Sequence, residues 1–165
     1  SIDEFERHAT ASADIAVHLP GRDEASVRAL AALLHDTGKL VLASRLPLQF
    51  AEAHRISVIE KIAGHQAEEC VFGTSHAEVG ACLLNLWGLP PTVTSAIARH
   101  HHPAAPAHPA AHLDLVAVVH LASALAHEKE DRRTGPDRLP ARLDREYFAQ
   151  LAKPDVIEQW RQGAP

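Results

Sequence analysis

The chain has 165 residues, of which 46% are apolar, and this length and composition predict one globular domain with a real core. A formal net charge of −5 without any basic run argues against nucleic acid and anionic membranes as partners. No apolar run is long enough to span a bilayer. Cys70 and Cys82 do not have the spacing of a metal site, and two cysteines are too few for a disulfide framework. They are therefore predicted to be reduced core thiols of a cytoplasmic protein.

Two features of the composition are unusual. There are 13 histidines against four phenylalanines, two tryptophans and one tyrosine, so imidazole is the most abundant ring in the chain. There is also no methionine, so we expect Ser1 to begin either a fragment or a processed form of the protein.

The first predicted helix runs from Ile2 to Leu19 and ends before Pro20-Gly21. Its expected core face consists of Ile2, Phe5, Ala9, Ala13 and Ala16. Glu4 and His8 lie four residues apart and therefore share a helix face. They are suited either to binding one ion together or to forming a simple surface pair.

The second predicted helix leads into the most informative stretch of the chain, His35-Asp36-Thr37-Gly38-Lys39. Asp23 is its expected N-cap, and its apolar stripe consists of Val27, Leu30, Ala31 and Leu34. An imidazole beside a carboxylate begins a divalent-metal site, and a following ammonium suits a phosphate. The alternative is an ordinary helix terminus in which His35 complements the dipole and Gly38 forms a left-handed cap.

The middle of the chain predicts three further helical segments. One runs from Lys39 to Leu46 and ends before Pro47, and the next covers residues 48–72 with an interruption near Gly64. Ser75 and Glu78 have capping-box spacing, which predicts a helix starting at His76. The expected core stripe of this helix is Val79, Cys82, Leu83 and Leu86, and Gly80 permits close helix approach.

In the last third, a helix is predicted to start at Pro91 or Thr92 and to turn Val93 and Ile97 inward, followed on the same face by His100 and His101. Linker-like loops are predicted at residues 103–111 and 128–142. Between them lies the most apolar predicted helix, from Leu113 to His127. Short helices over 144–152 and 154–160 should place Trp160 as a core anchor. No segment alternates with period two, so the predicted fold class is all-α, a single domain over residues 1–165.

The scattered polar residues at helix ends form one predicted constellation. A metal ion needs ligands from several helices, because one helix face cannot surround it. The candidates at the inner edge or end of a predicted helix are His8, His35, Asp36, His76, His100 and His101. Mixed imidazole and carboxylate ligands suit iron, manganese or zinc better than calcium, and two such ions could clamp a phosphate ester and activate a water.

The order of these motifs resembles the HDOD domain, a signalling relative of the HD and HD-GYP phosphohydrolases. The motifs in question are Leu33-Leu34-His35-Asp36-Thr37-Gly38-Lys39, Phe72-Gly73-Thr74-Ser75-His76-Ala77-Glu78, Leu86-Trp87-Gly88-Leu89-Pro90, His100-His101-His102-Pro103 and Val118-Val119-His120-Leu121-Ala122. The resemblance extends from about Glu4 to Trp160 and implies a helical bundle with a role in bacterial signal transduction. The tail from Leu143 to Phe148 is similar to HDOD domains that follow a receiver domain in response regulators.

The resemblance also implies which residues correspond to the HD-GYP metal site. The implied metal ligands are Glu4, His8, His35, Asp36, His76, His100 and His101, with Lys39 as the matching lysine. Two departures stand out. Ser123 occupies the place of the closing aspartate, and the Gly-Tyr-Pro loop expected after the double histidine is absent.

These observations lead to three functional hypotheses. The first is a non-catalytic regulatory output module that acts on a protein partner or through self-association. The second is a metal-dependent phosphohydrolase of a nucleotide or cyclic dinucleotide, in which Lys39 stabilises developing charge as a catalytic residue. The third is a sensor that binds a divalent metal or a small nucleotide without turnover.

Overall fold

A computed structural model describes residues 2–103 and 113–134 together with positions 156, 159 and 160. The helices of these ranges are α1 (Ile2–His18), α2 (Ala25–Leu34), α3 (Thr37–Arg45), α4 (Pro47–Glu60), α5 (Gly64–Phe72), α6 (His76–Leu86), α7 (Pro91–Arg99) and α8 (Leu115–Thr134). Within these ranges there is no strand, and the prediction of an all-α helical domain is confirmed. None of the helices described combines the length and the apolar character needed to cross a membrane.

Helix α8 is the central element of the core. Its first three turns, from Leu115 to Ala126, are buried almost without interruption. One side contacts α1 and α2 through a cluster that includes Ile15 and Leu121, and the other side contacts α2, α6 and α7 through a cluster that includes Ile97. Trp160 packs against the first of these clusters, as predicted.

An isolated β-bridge fixes the start of α8. Leu113 donates its backbone N–H to the carbonyl of Pro20 at 2.8 Å and accepts a hydrogen bond from the backbone of Arg22 at 3.0 Å. The bridge pairs Gly21 with Leu113 in parallel. The turn between α1 and α2 therefore holds the chain at the point where it enters α8.

Helices α3 and α6 approach each other through two glycines. A Cβ atom built on Gly38 would overlap the carbonyl oxygen of His76 and lie 2.7 Å from the backbone nitrogen of Gly80. A Cβ atom on Gly80 would lie 2.9 Å from the nitrogen of Gly38. The predicted role of Gly80 in close approach is confirmed, and the contact brings the residue before α3, Asp36, beside the first residue of α6, His76.

The predicted core face of α6 was wrong. The capping box of Ser75 and Glu78 forms, and the helix starts at His76 as predicted. Its buried residues, however, are His76, Ala77, Gly80, Ala81 and Leu84. Small residues face α3 because it lies too close for large side chains, and Leu84 is the one large apolar residue of α6 in the core. Of the predicted stripe, Val79 and Leu83 are half-buried and Leu86 is exposed. Cys82 is exposed, as is Cys70, so neither is a core thiol.

Several helix ends also differ from the predictions. Helix α8 continues to Thr134, so residues 128–134 are helical and not part of a loop. Pro47 begins α4 at its first turn, where a missing N–H costs nothing. The N-cap of α2 is Glu24 instead of Asp23. The predicted linker 104–111, the remaining loop residues and the helix over 144–152 lie outside the described residues.

Candidate metal centre

Two buried histidines are held by the same local geometry. His35 follows α2 and His100 follows α7, and the Nδ1 of each lies 2.6 or 2.7 Å from the carbonyl oxygen three residues earlier, Ala32 or Ile97. Because a carbonyl only accepts, Nδ1 carries the proton and Nε2 carries the lone pair. Both Nε2 atoms are buried without a hydrogen-bond partner, so both lone pairs are available inside the protein.

Asp36 lies at the centre of the site. Its Oδ1 is 3.0 Å from Nε2 of His76 and 3.5 Å from Nε2 of His35, and its Oδ2 is 2.6 Å from Nζ of Lys39 and 4.0 Å from Nε2 of His8. Burial alone would raise the pKa of this carboxyl, but its electrostatic interactions with His35 and Lys39 hold its pKa well below the usual value. Asp36 is therefore a carboxylate throughout the physiological range.

His76 is held between two carboxylates. Its Nδ1 lies 2.6 Å from Oε2 of Glu68, which also accepts the backbone N–H of His76 at 2.7 Å. Burial and Lys39 act to lower the pKa of His76, but its hydrogen bonds to Asp36 and Glu68 outweigh them and raise it. Its Nε2 lies 2.9 Å from Nε2 of His101. A metal ion binding at this nitrogen would displace the proton that the raised pKa favours.

Ser123 occupies the position where the resemblance places an aspartate. Its hydroxyl lies 3.4 Å from Nε2 of His8, so α8 does contact the site at this residue. Asp114, at the start of the same helix, is exposed and instead accepts the backbone N–H of Ala117 at 2.8 Å. That carboxylate therefore caps α8 and does not compensate for Ser123.

The residues that the sequence singled out come together in two adjacent groups, which meet where Nε2 of His76 lies 3.0 Å from Oδ1 of Asp36. The atoms of His76, His100 and His101 lie within 4.8 Å of one another, and so do those of His8, His35 and Asp36. Glu4 belongs to neither group and stays a prediction as a ligand. The ring orientation of three of these histidines is fixed by an acceptor at Nδ1, which is a carbonyl for His35 and His100 and a carboxylate for His76.

These donors fit a divalent metal ion. The buried atoms without a hydrogen-bond partner include Nε2 of His35 and Nε2 of His100, and orphaned buried polar atoms are costly unless a ligand satisfies them. Imidazole nitrogens combined with one carboxylate suit iron, manganese or zinc. A bound ion would supply Lewis acidity at this centre.

Sequence reasoning missed two neighbours of the site on α5. Glu68 fixes the orientation of His76, and His65 stacks on His101 with ring centroids 4.1 Å apart and an interplanar angle of 14°. In the sequence Glu68 is one of two adjacent glutamates, and its burial beside Ala67 emerges only from the structure. No spacing rule joins it to His76, since the two lie on different helices.

The metal-free domain should lose stability as the pH falls from about 6.5 to 4. Burial lowers the pKa of His35 to about 4, and burial followed by His35 lowers the pKa of His100 well below 6.5. The unfolded chain then binds more protons in this window, so acid favours unfolding. The shift of the His35 pKa from 6.5 to about 4 alone should lower the free energy of unfolding by on the order of 3 kcal/mol over this pH range.

The raised pKa of His76 acts in the opposite direction, because its stabilising contribution is present at low pH and is lost as pH rises through that pKa. Urea unfolding of chelator-treated protein at several pH values tests the balance. A free energy of unfolding that stays level between pH 7 and 4 would contradict the prediction of neutral buried histidines.

Comparison with known proteins gives one family and three related structures. Residues 2–103 match the HDOD domain family. An HDOD domain protein of unknown function from Geobacter sulfurreducens has 29% sequence identity and a TM-score of 0.67 over 98% of this chain. A protein named "Putative phosphohydrolase" from Shewanella amazonensis SB2B (20% identity, TM-score 0.69, 98% of this chain) has the same fold. So does a protein named "Putative signal transduction protein" from Marinobacter aquaeolei VT8 (24% identity, TM-score 0.69, 96% of this chain).

The chain spans only part of each of these proteins. It covers 54% of the Geobacter chain, 60% of the Shewanella chain and 35% of the Marinobacter chain. At identities below 25%, the latter two similarities concern the fold alone. What the comparisons establish together is the domain family and its helical architecture.

Proposed function

The chain belongs to the HDOD domain family, and on that basis we propose that it is a regulatory signal-transduction module that acts by contacting another protein and not by catalysis. The similarity of the segment from Leu143 to Phe148 to receiver-linked HDOD domains supports a place behind a receiver domain in a bacterial, cytoplasmic response regulator. A second copy of the chain is one form that the protein partner can take.

The apolar outer side of α6 is the observation that carries this proposal. Leu86 and Trp87 are 77% and 67% exposed. Beside them lies an open groove of about 620 Å³, lined by Gly73, Thr74, Glu78, Val79, Cys82, Leu83 and Leu86. A contiguous exposed apolar patch marks an interaction site, and an exposed tryptophan is a common anchor of protein interfaces. We call the surface formed by Leu86, Trp87 and this groove the α6 surface.

The enclosure of the histidine centre supports the non-catalytic part of the proposal. His35, His100 and Asp36 are almost completely buried, so a phosphodiester would have to displace protein to reach them. The ammonium of Lys39, which would stabilise a developing phosphate charge, is already 2.6 Å from the carboxylate of Asp36. Substrate binding would have to break this ion pair.

Photo-crosslinking tests the α6 surface. A benzophenone amino acid at position 87 of the full-length protein should form an adduct in the cells that express it. The same amino acid at position 48, an exposed apolar site on α4, is the matched control and should form none. The adduct at position 87 should fall at least tenfold in a Leu86→Asp background, since burying a charge at an interface is unfavourable. Equal adducts at both positions would contradict the assignment of this surface, and mass spectrometry distinguishes a self-adduct from a second protein.

A metal-dependent phosphohydrolase is the second candidate. The lone pairs of His35 and His100 favour it, because they supply imidazole ligands beside Asp36. Hydrolysis of cyclic di-GMP or a generic phosphodiester by the manganese- or iron-loaded protein, lost in His35→Ala, would support this candidate and contradict the non-catalytic proposal. In that case Lys39 would act as the charge-stabilising residue.

A further inference from the structure

A second group of potential ligands lies where α1 meets the distal part of α8, and it shares only His8 with the centre described above. His8 of α1 faces His127 and Glu130 of α8, and one ligand atom from each residue lies within 4.8 Å of the other two. The rings of His8 and His127 stack with centroids 3.9 Å apart. His127 and Glu130 are three residues apart and therefore share a helix face.

The spacing of this group matches that of a small tetrahedral ion. Oε2 of Glu130 lies 3.6 Å from Nδ1 of His8 and 3.8 Å from Nδ1 of His127. Ligand atoms around tetrahedral zinc are about 3.4 Å apart, given metal–ligand bonds of about 2.1 Å. Both of these distances are therefore within a few tenths of an ångström of the spacing around one ion, and the third pair lies within 4.8 Å.

Ser123 favours the tautomer of His8 that carries its lone pair on Nδ1. Nε2 of His8 lies 3.4 Å from the Ser123 hydroxyl oxygen, which can accept a hydrogen bond from it, and 4.0 Å from the Asp36 carboxylate, whose negative charge attracts an N–H. A neutral imidazole protonated at Nε2 has its lone pair on Nδ1, which points toward Glu130. Nδ1 is buried and has no hydrogen-bond partner, as expected of a ligand atom without its ion.

We propose that His8, His127 and Glu130 form a zinc-type metal site separate from the buried His35–Asp36 centre. Two imidazoles and one carboxylate are a donor set that zinc accepts, with a fourth position left for water or another ligand. The side chains of His127 and Glu130 are 33% and 18% exposed, so an ion can enter from solvent. His8 of α1 would thus bind the ion together with two residues from the charged end of α8.

Zinc binding to the metal-free full chain tests this site. Equilibrium dialysis with zinc should show tight binding, and Glu130→Gln and His127→Ala should each bind one zinc ion fewer per chain at concentrations that saturate the unmodified protein. The affinity of this site should fall more than about tenfold, because loss of even a group that only orients a ligand costs tenfold or more. Cobalt(II) is the spectroscopic probe, and its intense tetrahedral absorption bands should be lost in the same two variants. Glu130→Gln preserves size and helix propensity, so it reports on the ligand and not on folding.

Glu60→Gln and His54→Ala are the matched controls, since both residues are exposed on α4 away from the group. They should bind zinc as the unmodified chain does. Unchanged zinc affinity in Glu130→Gln and His127→Ala would overturn the proposal, as would zinc binding lost only in His101→Ala, which would place the ion in the buried centre. The readout involves neither hydrolysis nor partner binding, so its outcome is independent of the proposed function.

Discussion

Gly38→Ala is expected to destabilise the domain by about 3 kcal/mol or more, at or above the usual range for overpacking. The added methyl would overlap the backbone carbonyl of His76 and press on the nitrogen of Gly80. Backbone atoms cannot rotate away as a side chain can, so α3 and α6 would have to separate. Because that contact sets the distance between Asp36 and His76, zinc or manganese binding at the buried centre should weaken in parallel.

Gly64→Ala is the matched control for this substitution. Gly64 is the first residue of α5, and a Cβ atom there would meet nothing within 4 Å. Alanine should therefore leave the free energy of unfolding unchanged or raise it by up to about 1 kcal/mol, because alanine is the better helix former. Urea unfolding of the two variants measures the difference. Equal stabilities would show that the α3–α6 contact is looser than described.

Asp36→Asn should cost the metal-free domain about 3 kcal/mol, at the lower end of the range for breaking a buried ion pair. The carboxylate has two close partners, Nζ of Lys39 at 2.6 Å and Nε2 of His76 at 3.0 Å. Asparagine keeps the shape but removes the charge that both partners need. Lys39 is 30% exposed and can turn toward water, which is why we expect the lower end of the range. His76 is buried and should lose its raised pKa.

Glu52→Gln provides the comparison at the surface. Glu52 and Arg55 are also 2.6 Å apart, but both side chains are about half exposed. Solvent screens such a pair and side-chain entropy opposes it, so the unfolding midpoint should not change measurably.

The pKa of His76 in Asp36→Asn, followed by NMR, provides a second readout. If it stayed raised, Glu68 alone would hold the imidazolium.

The sequence predicted the parts of the site that local chemistry determines. His35 and His100 each donate to a carbonyl three residues back, so their placement depends only on the end of their own helix. The capping box at Ser75 and Glu78 likewise fixed the start of α6 without tertiary information. The meeting of these helix ends at Asp36 could be expected only for two reasons. Each end carries a potential metal ligand, and the order of the motifs resembles one family.

The buried face of α6 and the length of α8 depend on contacts between helices, which the residue pattern of one helix does not reveal. The apolar stripe of α6 was assigned to the core because size and hydrophobicity usually indicate burial. Here Gly38 and Gly80 bring two backbones together, so the small face is inside and Leu86 is outside. The charged run after His127 suggested a loop, but α8 is anchored by its apolar half and continues through it. Glu130 was missed for that reason.

The bridge at Leu113 determines where insertions and deletions affect α8 and where they do not. Its two hydrogen bonds fix where α8 starts and the rotational phase with which it enters the bundle. Residues inserted or deleted between positions 104 and 112 are upstream of that point and leave the phase of α8 unchanged. One residue inserted between Leu113 and Ser123 would rotate the serine by about 100° and shift it by about 1.5 Å. Among related chains, the first interval can therefore vary in length, whereas the ten-residue interval from Leu113 to Ser123 should be constant.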